Sequence, residues 1–236
     1  MPSGASCASR PSGSTASRAE RVSPPATGHV APRPLPGAFF ARDTASVARE
    51  LLGKILVSAD GETVTGGRIV ETEAYLGSDD PGSHAATRGI TRRNSVMYGP
   101  PGNAYVYFTY GNHHMLNLVT EVEGTAGAVL VRAIEPLIGL EEMRSRRAGV
   151  RDGSLADGPG KLAAALGITL ADNGATLGAG RLEVLDGPAP ERIRATGRVG
   201  LSAGHEKELR FYEEGCPFVS KGRTGRRAVR EGGPGQ

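Results

Sequence analysis

The chain has 236 residues, 38% of them hydrophobic and 22% charged, which is long enough to bury a real core and fits a soluble globular protein. Its two cysteines, Cys7 and Cys216, leave no disulfide framework and no cysteine zinc site, and no apolar run approaches the ~18 residues of a membrane span. A formal charge of +3 hides an asymmetry: residues 1–36 carry +3 and residues 221–236 carry +4, against −4 on the body between them.

Basic ends on a mildly acidic body suit a polyanionic partner, and they also suit plain solubility; charge alone does not separate the two. Residues 1–36 are rich in Ser, Pro, Ala, Gly and Arg and have no apolar periodicity, so a disordered tail is expected there. Lacking an apolar h-region, that stretch is no secretory signal, and the cytoplasm is the default compartment. A folded domain is expected over 37–220, followed by a flexible basic tail over 221–236.

Asp43 reads as an N-cap, with Val47, Ala48, Leu51 and Leu52 at helical spacing and Gly53 as the stop. Ile55-Leu56-Val57 opens a strand, and Gly66-Gly67 is expected to separate it from the next, Arg68-Ile69-Val70-Glu71-Thr72-Glu73-Ala74-Tyr75. Alternation puts Glu71, Glu73 and Tyr75 on one face of that strand. Two carboxylates beside an aromatic ring build a poor core. They suit the holding of a flat, electron-poor ring next to a base.

Residues 77–103 are long and irregular, with glycines and prolines throughout, and loops of that length are usually functional. Tyr105–Tyr110 then reads as a strand, Gly111-Asn112 as a turn and Met115–Val119 as the return strand. Ala126–Ile134 is an apolar strand interrupted by Arg132. Helices are expected over Leu137–Arg147 and Lys161–Leu166, and short strands over Leu182–Leu185 and Leu209–Tyr212. Strands outnumber helices and short turns join them, which predicts a single α+β domain with a curved, largely antiparallel sheet flanked by helices.

Several segments, in this order, resemble the 3-methyladenine (alkyladenine) DNA glycosylases. They are Val70-Glu71-Thr72-Glu73-Ala74-Tyr75-Leu76-Gly77, His84, Thr91-Arg92-Arg93-Asn94, and Tyr105-Val106-Tyr107-Phe108-Thr109-Tyr110-Gly111. Asn117, Val131-Arg132-Ala133-Ile134-Glu135-Pro136, Gly158-Pro159-Gly160-Lys161-Leu162, Arg198-Val199-Gly200 and Leu209-Arg210-Phe211-Tyr212 continue the set. The order and spacing over about 37–220 carry the resemblance; no single piece is specific.

The resemblance implies a monofunctional DNA glycosylase acting on duplex DNA with damaged purines, as a monomer, without cofactor, metal or membrane. Glu73 is then the base that directs water at the glycosidic bond, a role a fixed carboxylate fills by taking a proton and stabilising developing positive charge. Arg132 and the backbone carbonyl of Val199 are implied to hold that water. Strand alternation does not choose between Glu71 and Glu73; the resemblance chooses Glu73. A buried structural ion pair between Glu73 and Arg132 is the competing reading.

Tyr75, His84 and Tyr107 resemble the rings that sandwich the extruded base, and four of the six tyrosines, Tyr75, Tyr105, Tyr107 and Tyr110, fall in the two strands that carry Tyr75 and Tyr107. Stacking is worth roughly 1–3 kcal/mol per base, more for a cationic alkylated purine over electron-rich faces. Tyr110, beside the hairpin turn, resembles the wedge that fills the duplex when a nucleotide rotates out. Asn117 resembles the pocket-wall asparagine that disfavours normal guanine.

Lys161, after Gly158-Pro159-Gly160 at a helix start, is a phosphate candidate, with Arg92, Arg93 and Arg210 as others. The run lacks a P-loop pattern. His113-His114 departs from the larger side chains some relatives carry there. Neighbours on a strand face opposite ways, so the two are not expected to share a metal. Two rivals remain: a non-catalytic nucleic-acid binding module of the same fold, and a metal-dependent hydrolase using His84, His113 or His114 with Glu73.

Overall fold

The computed structural model describes residues 33–109, 111–201, 203–204 and 206–222. A one-turn helix α1 (Gly37–Phe40) leads into α2 (Thr44–Glu50), where the Asp43 carboxylate accepts the Ser46 N–H as the sequence predicts. Strands β1 (Ile55–Asp60) and β2 (Thr63–Tyr75) follow, then α3 (His84–Arg88), β3 (Ala104–Thr109), β4 (His113–Val119), β5 (Ala128–Ile138), α4 (Leu140–Arg146) and α5 (Pro159–Leu166). Short strands β6 (Leu182–Leu185), β7 (Ile193–Thr196) and β8 (Arg210–Glu213) complete the body.

All the strand pairings are antiparallel. The sheet runs β3-β4-β5-β2-β1-β6, and β8 joins β2 while pairing with β7. Long β2 and β5 form the spine, so the sheet curls as a half-barrel around its apolar face. Helices α2 and α5 fill that face with Val47, Ala48, Leu51, Leu162, Ala163 and Leu166. No helix among the described residues is long and apolar enough to cross a membrane.

Four expectations change. Gly66-Gly67 does not separate two strands: the turn is at Gly61-Glu62, and both glycines lie inside β2. A Cβ on Gly67 would come within 2.2 Å of the Glu135 carbonyl oxygen, so glycine here permits close approach between strands rather than a turn. Strand β5 runs through Pro136 to Ile138, and α4 starts only at Leu140 after the left-handed Gly139. The irregular stretch contains α3 and a 3-10 turn at Ser95–Tyr98. Residues 34–35, assigned by composition to the tail, pair with β6.

Candidate functional site

Two register shifts in the β2–β5 ladder build the centre of the site. Pairing steps from Ile69↔Ile134 to Glu71↔Ala133 and then to Thr72↔Val131, which leaves Arg132 as the extra residue of a bulge. Bulges re-aim side chains. Here the shift turns Arg132 toward both glutamates: its Nε lies 2.8 Å from Glu71 Oε1 and its Nη1 3.1 Å from Glu73 Oε2.

Both carboxylates are fully buried, yet their surroundings differ. Glu71 accepts from Arg132 Nε, from Arg210 Nε at 2.6 Å, and from the Ser220 N–H and hydroxyl at 2.7 and 2.9 Å. Glu73 accepts the Val199 N–H on Oε1 at 2.7 Å and the Tyr75 hydroxyl on Oε2 at 2.9 Å, besides its ion pair with Arg132. Glu71 is therefore tied into a structural ion cluster. The groups holding Glu73 are wall residues of a cavity.

That cavity has a volume of about 320 Å³ and is lined by Tyr75, His84, Tyr107, Asn117, Arg132 and Val199, together with Met97, Tyr105, Met115 and Leu201. Its size falls within the roughly 300–1,000 Å³ usual for small-molecule sites. Tyr75, Arg132 and Val199 all touch Glu73 and all line the space, so the carboxylate lies directly behind the wall. His84 meets Tyr107 edge to face, with ring centres 5.0 Å apart. His84 Nδ1 lies 3.1 Å from the Tyr105 hydroxyl.

The loop carrying His84 is fastened from two sides. Asn94 donates to the His84 and Gly89 carbonyls and accepts from the Thr91 N–H and hydroxyl. Asp80 accepts the Leu76 and Gly82 amides and binds the buried Arg198 guanidinium, which also donates to the Ala74 and Gly204 carbonyls. Val199 follows Arg198, so one anchor fixes both the His84 loop and the amide on Glu73.

Burial pushes the Tyr75 phenol well up from its usual range, with the adjacent Glu73 charge adding to the effect. Burial likewise takes the Tyr105 phenol up to about 12 against the opposing pull of Arg93. For Arg132, burial alone would favour losing the proton. Glu73 and Glu71 outweigh it, and the guanidinium pKa rises. Burial also works against the Asp80 carboxylate. Its bonds from Arg198 and the Leu76 amide prevail and hold the pKa below the ordinary value.

The sequence-derived candidates therefore divide. Glu73, Arg132, Val199, Tyr75, His84, Tyr107 and Asn117 converge on one cavity and its wall. Asn117 is buried with its Nδ2 donating to the Tyr105 carbonyl across the β3–β4 pair. Tyr110 lies outside the described residues. Arg92 is exposed, and Arg93 sits 5.2 Å from the Tyr107 ring centre with Nη2 donating to the Phe108 carbonyl. Lys161 is half-exposed and pairs with the buried Asp157 at 2.7 Å.

Arg210, read from the sequence as a phosphate candidate, lies elsewhere than the surface. It is buried, and its Nε bonds Glu71, which places its charge inside the cluster. Sequence reading also gave no role to Asp80, Arg198, Asn94 or Ser220. The signal for Asn94 and for Arg198 was the motif around each; for Asp80 and Ser220, the charged partners lie far along the chain. Among the described residues, no group of three or more His, Cys, Asp or Glu could hold a metal ion. His113 packs against Gly160 and His114 against Phe108.

Comparison with known proteins places this site in context. The family model for methylpurine-DNA glycosylase matches residues 38–217. A protein of Methanoculleus marisnigri named "Putative 3-methyladenine DNA glycosylase" is 51% identical over 193 residues, covering 79% of this chain and 98% of its own. Proteins of the same name from Methanocella arvoryzae and Koribacter versatilis are 50% and 46% identical, each over 79% of this chain and over 96% and 93% of their own lengths.

Proposed function

The chain belongs to the methylpurine-DNA glycosylase family, whose members are hydrolases of N-glycosyl bonds, and from that premise we propose that it excises alkylated or deaminated purines from duplex DNA. Candidate substrates are 3-methyladenine, 7-methylguanine and hypoxanthine. The observation that carries this reading is the placing of Glu73 behind a ring-lined cavity by Tyr75, Arg132 and Val199.

In this reading Tyr110 enters the minor groove as the nucleotide rotates out, and the purine stacks among Tyr75, His84 and Tyr107. Water is seated against Glu73, Arg132 and the Val199 carbonyl. A carboxylate oxygen takes two hydrogen bonds. Among the described residues Val199 N–H is the donor to Oε1, so that oxygen keeps a lone pair for the water.

The water oxygen then bonds to C1′ of the sugar while the C1′–N bond breaks, and the bonding pair leaves on the purine. Glu73 takes the proton from the attacking water. An N-alkylated purine is cationic and leaves as a neutral base, which makes it a better leaving group than an undamaged one. The same charge favours it among electron-rich rings. Hypoxanthine, neutral in DNA, leaves as an anion and takes up a proton from solvent to become the free base. The products are a free base and an abasic site, with no strand break from the enzyme itself.

The test is base release from duplexes carrying one hypoxanthine or one 7-methylguanine, read as alkali-dependent strand cleavage, for wild type and Glu73→Gln. Cleavage by wild type, with a loss of about 10²–10⁴-fold in the variant and lesion binding retained, is the expected result. Binding without release from either lesion by wild type would leave a nucleic-acid binding module.

A further inference from the structure

Beyond β8 the chain turns back under the glutamate pair and reaches it at Ser220, three residues past the end of the family match at 217. Ser220 is buried and makes four bonds to the ion cluster. Its N–H and hydroxyl donate to the two oxygens of Glu71 at 2.7 and 2.9 Å. The same hydroxyl accepts from Arg132 Nη2 at 3.2 Å, and its carbonyl accepts from Arg210 Nη2 at 3.4 Å. Two residues on, Gly222 lies against Val199 and Arg132: a Cβ there would come within 2.6 Å of Val199 Cγ1 and 3.3 Å of Arg132 Nη2. The strap thus contacts two of the three groups that hold Glu73.

We propose that Ser220 is a positioning residue for the hydrolytic centre, acting through Arg132. This rests on the reading of Glu73 as the base. Arg132 is shared between two carboxylates, and its place is a balance. On one side stands Glu71, which Ser220 and Arg210 satisfy with further donors; on the other stands Glu73 at 3.1 Å. Removing the Ser220 hydroxyl takes a donor from Glu71 and an acceptor from Arg132 Nη2 at once. Both losses draw the guanidinium toward Glu71, since a buried carboxylate left short of donors claims the nearest one. Nη1 then withdraws from Glu73, and the water loses one of its holders. Binding of the flipped base, which uses the rings on the other side of the wall, is left as it was. Glycosylase rate and lesion affinity therefore separate at this residue.

The experiment compares full-length wild type, Ser220→Ala, Ser220→Thr and Gly222→Ala in single-turnover release of hypoxanthine or 7-methylguanine, with affinity for the same duplexes measured by fluorescence anisotropy. The expected result is a rate lower by about tenfold or more in Ser220→Ala, the scale of a hydrogen bond to a charged group, with affinity within about twofold of wild type. Ser220→Thr, which keeps the hydroxyl, restores the rate. Gly222→Ala, which keeps Ser220 but presses on Val199 and Arg132, is slowed like Ser220→Ala. Should Ser220→Ala fail to fold, Gly222→Ala decides by the same split between rate and affinity. A Ser220→Ala rate equal to wild type, a parallel loss of rate and affinity, or a Ser220→Thr rate as low as Ser220→Ala overturns the proposal. Wild type inactive on both lesions would instead remove the glycosylase reading beneath it.

Discussion

The guanidinium carbon of Arg198 lies 4.8 Å from the centre of the Tyr75 ring. Arg198 is fully buried and grips Asp80, so one face of Tyr75 is covered by a fixed cation. The ring is thereby held in place, while its hydroxyl reaches Glu73. In the proposed function, a base entering the cavity would meet a tyrosine whose orientation is already set.

This anchor is pH-sensitive in a defined direction. The folded-state pKa of Asp80 lies below its unfolded value, so the stability it contributes is present above the unfolded carboxylate pKa near ~4 and is lost as pH falls through the lower folded value. Wild type should lose stability to urea as pH drops below about 4 more steeply than Asp80→Asn, which has no carboxylate to protonate. At neutral pH Asp80→Asn should be less stable by about 3–5 kcal/mol, since it leaves Arg198 charged and buried without a counter-ion. Equal acid profiles for the two proteins would refute this account of the anchor.

The proposed function gives Tyr75 two roles that substitution can separate. Tyr75→Phe keeps the ring but removes the donor to Glu73 Oε2, so the single-turnover rate should fall about tenfold with lesion affinity little changed. Tyr75→Ala also removes the stacking surface, and affinity should drop by the equivalent of about 1–3 kcal/mol. A Tyr75→Phe enzyme as fast as wild type would show that the hydroxyl contact has no part in the reaction.

Glu71 and Glu73 should fail in different ways when made neutral. Glu71→Gln leaves Arg132 and Arg210 short of charge in a buried cluster, and a stability loss of about 3–5 kcal/mol is expected in urea melts. Glu73→Gln gives up one ion pair at 3.1 Å and still offers an oxygen to the Val199 N–H, so its stability loss should be the smaller while its rate loss is the larger. The opposite ranking in both measurements would exchange the roles given to the two residues.

Much of the fold was legible because it is local. The α2 cap at Asp43, the turn between β3 and β4, and the apolar run of β5 each follow from neighbours within a few residues. Gly66-Gly67 was read as punctuation because glycine favours turns. In the structure it marks the close approach of β1 and β5 to β2, which only the folded sheet brings about. The apolar strand was read as ending at Ile134, yet β5 continues through Pro136 to Ile138.

By itself the sequence singled out Glu73, Arg132, Tyr75, His84 and Tyr107 as candidates, through an ordered set of motifs and the family resemblance those motifs carry. Only the tertiary structure decided how their charges are shared. Arg210 passed from the surface to the Glu71 cluster, Ser220 reached that cluster across 149 residues of chain, and Arg198 met Asp80 across 118. Periodicity and caps report interactions over a turn or a strand repeat. An ion's partner in a buried site is set by which segments the folded core brings together, and a one-residue bulge at Arg132 is enough to turn its charge onto two carboxylates at once.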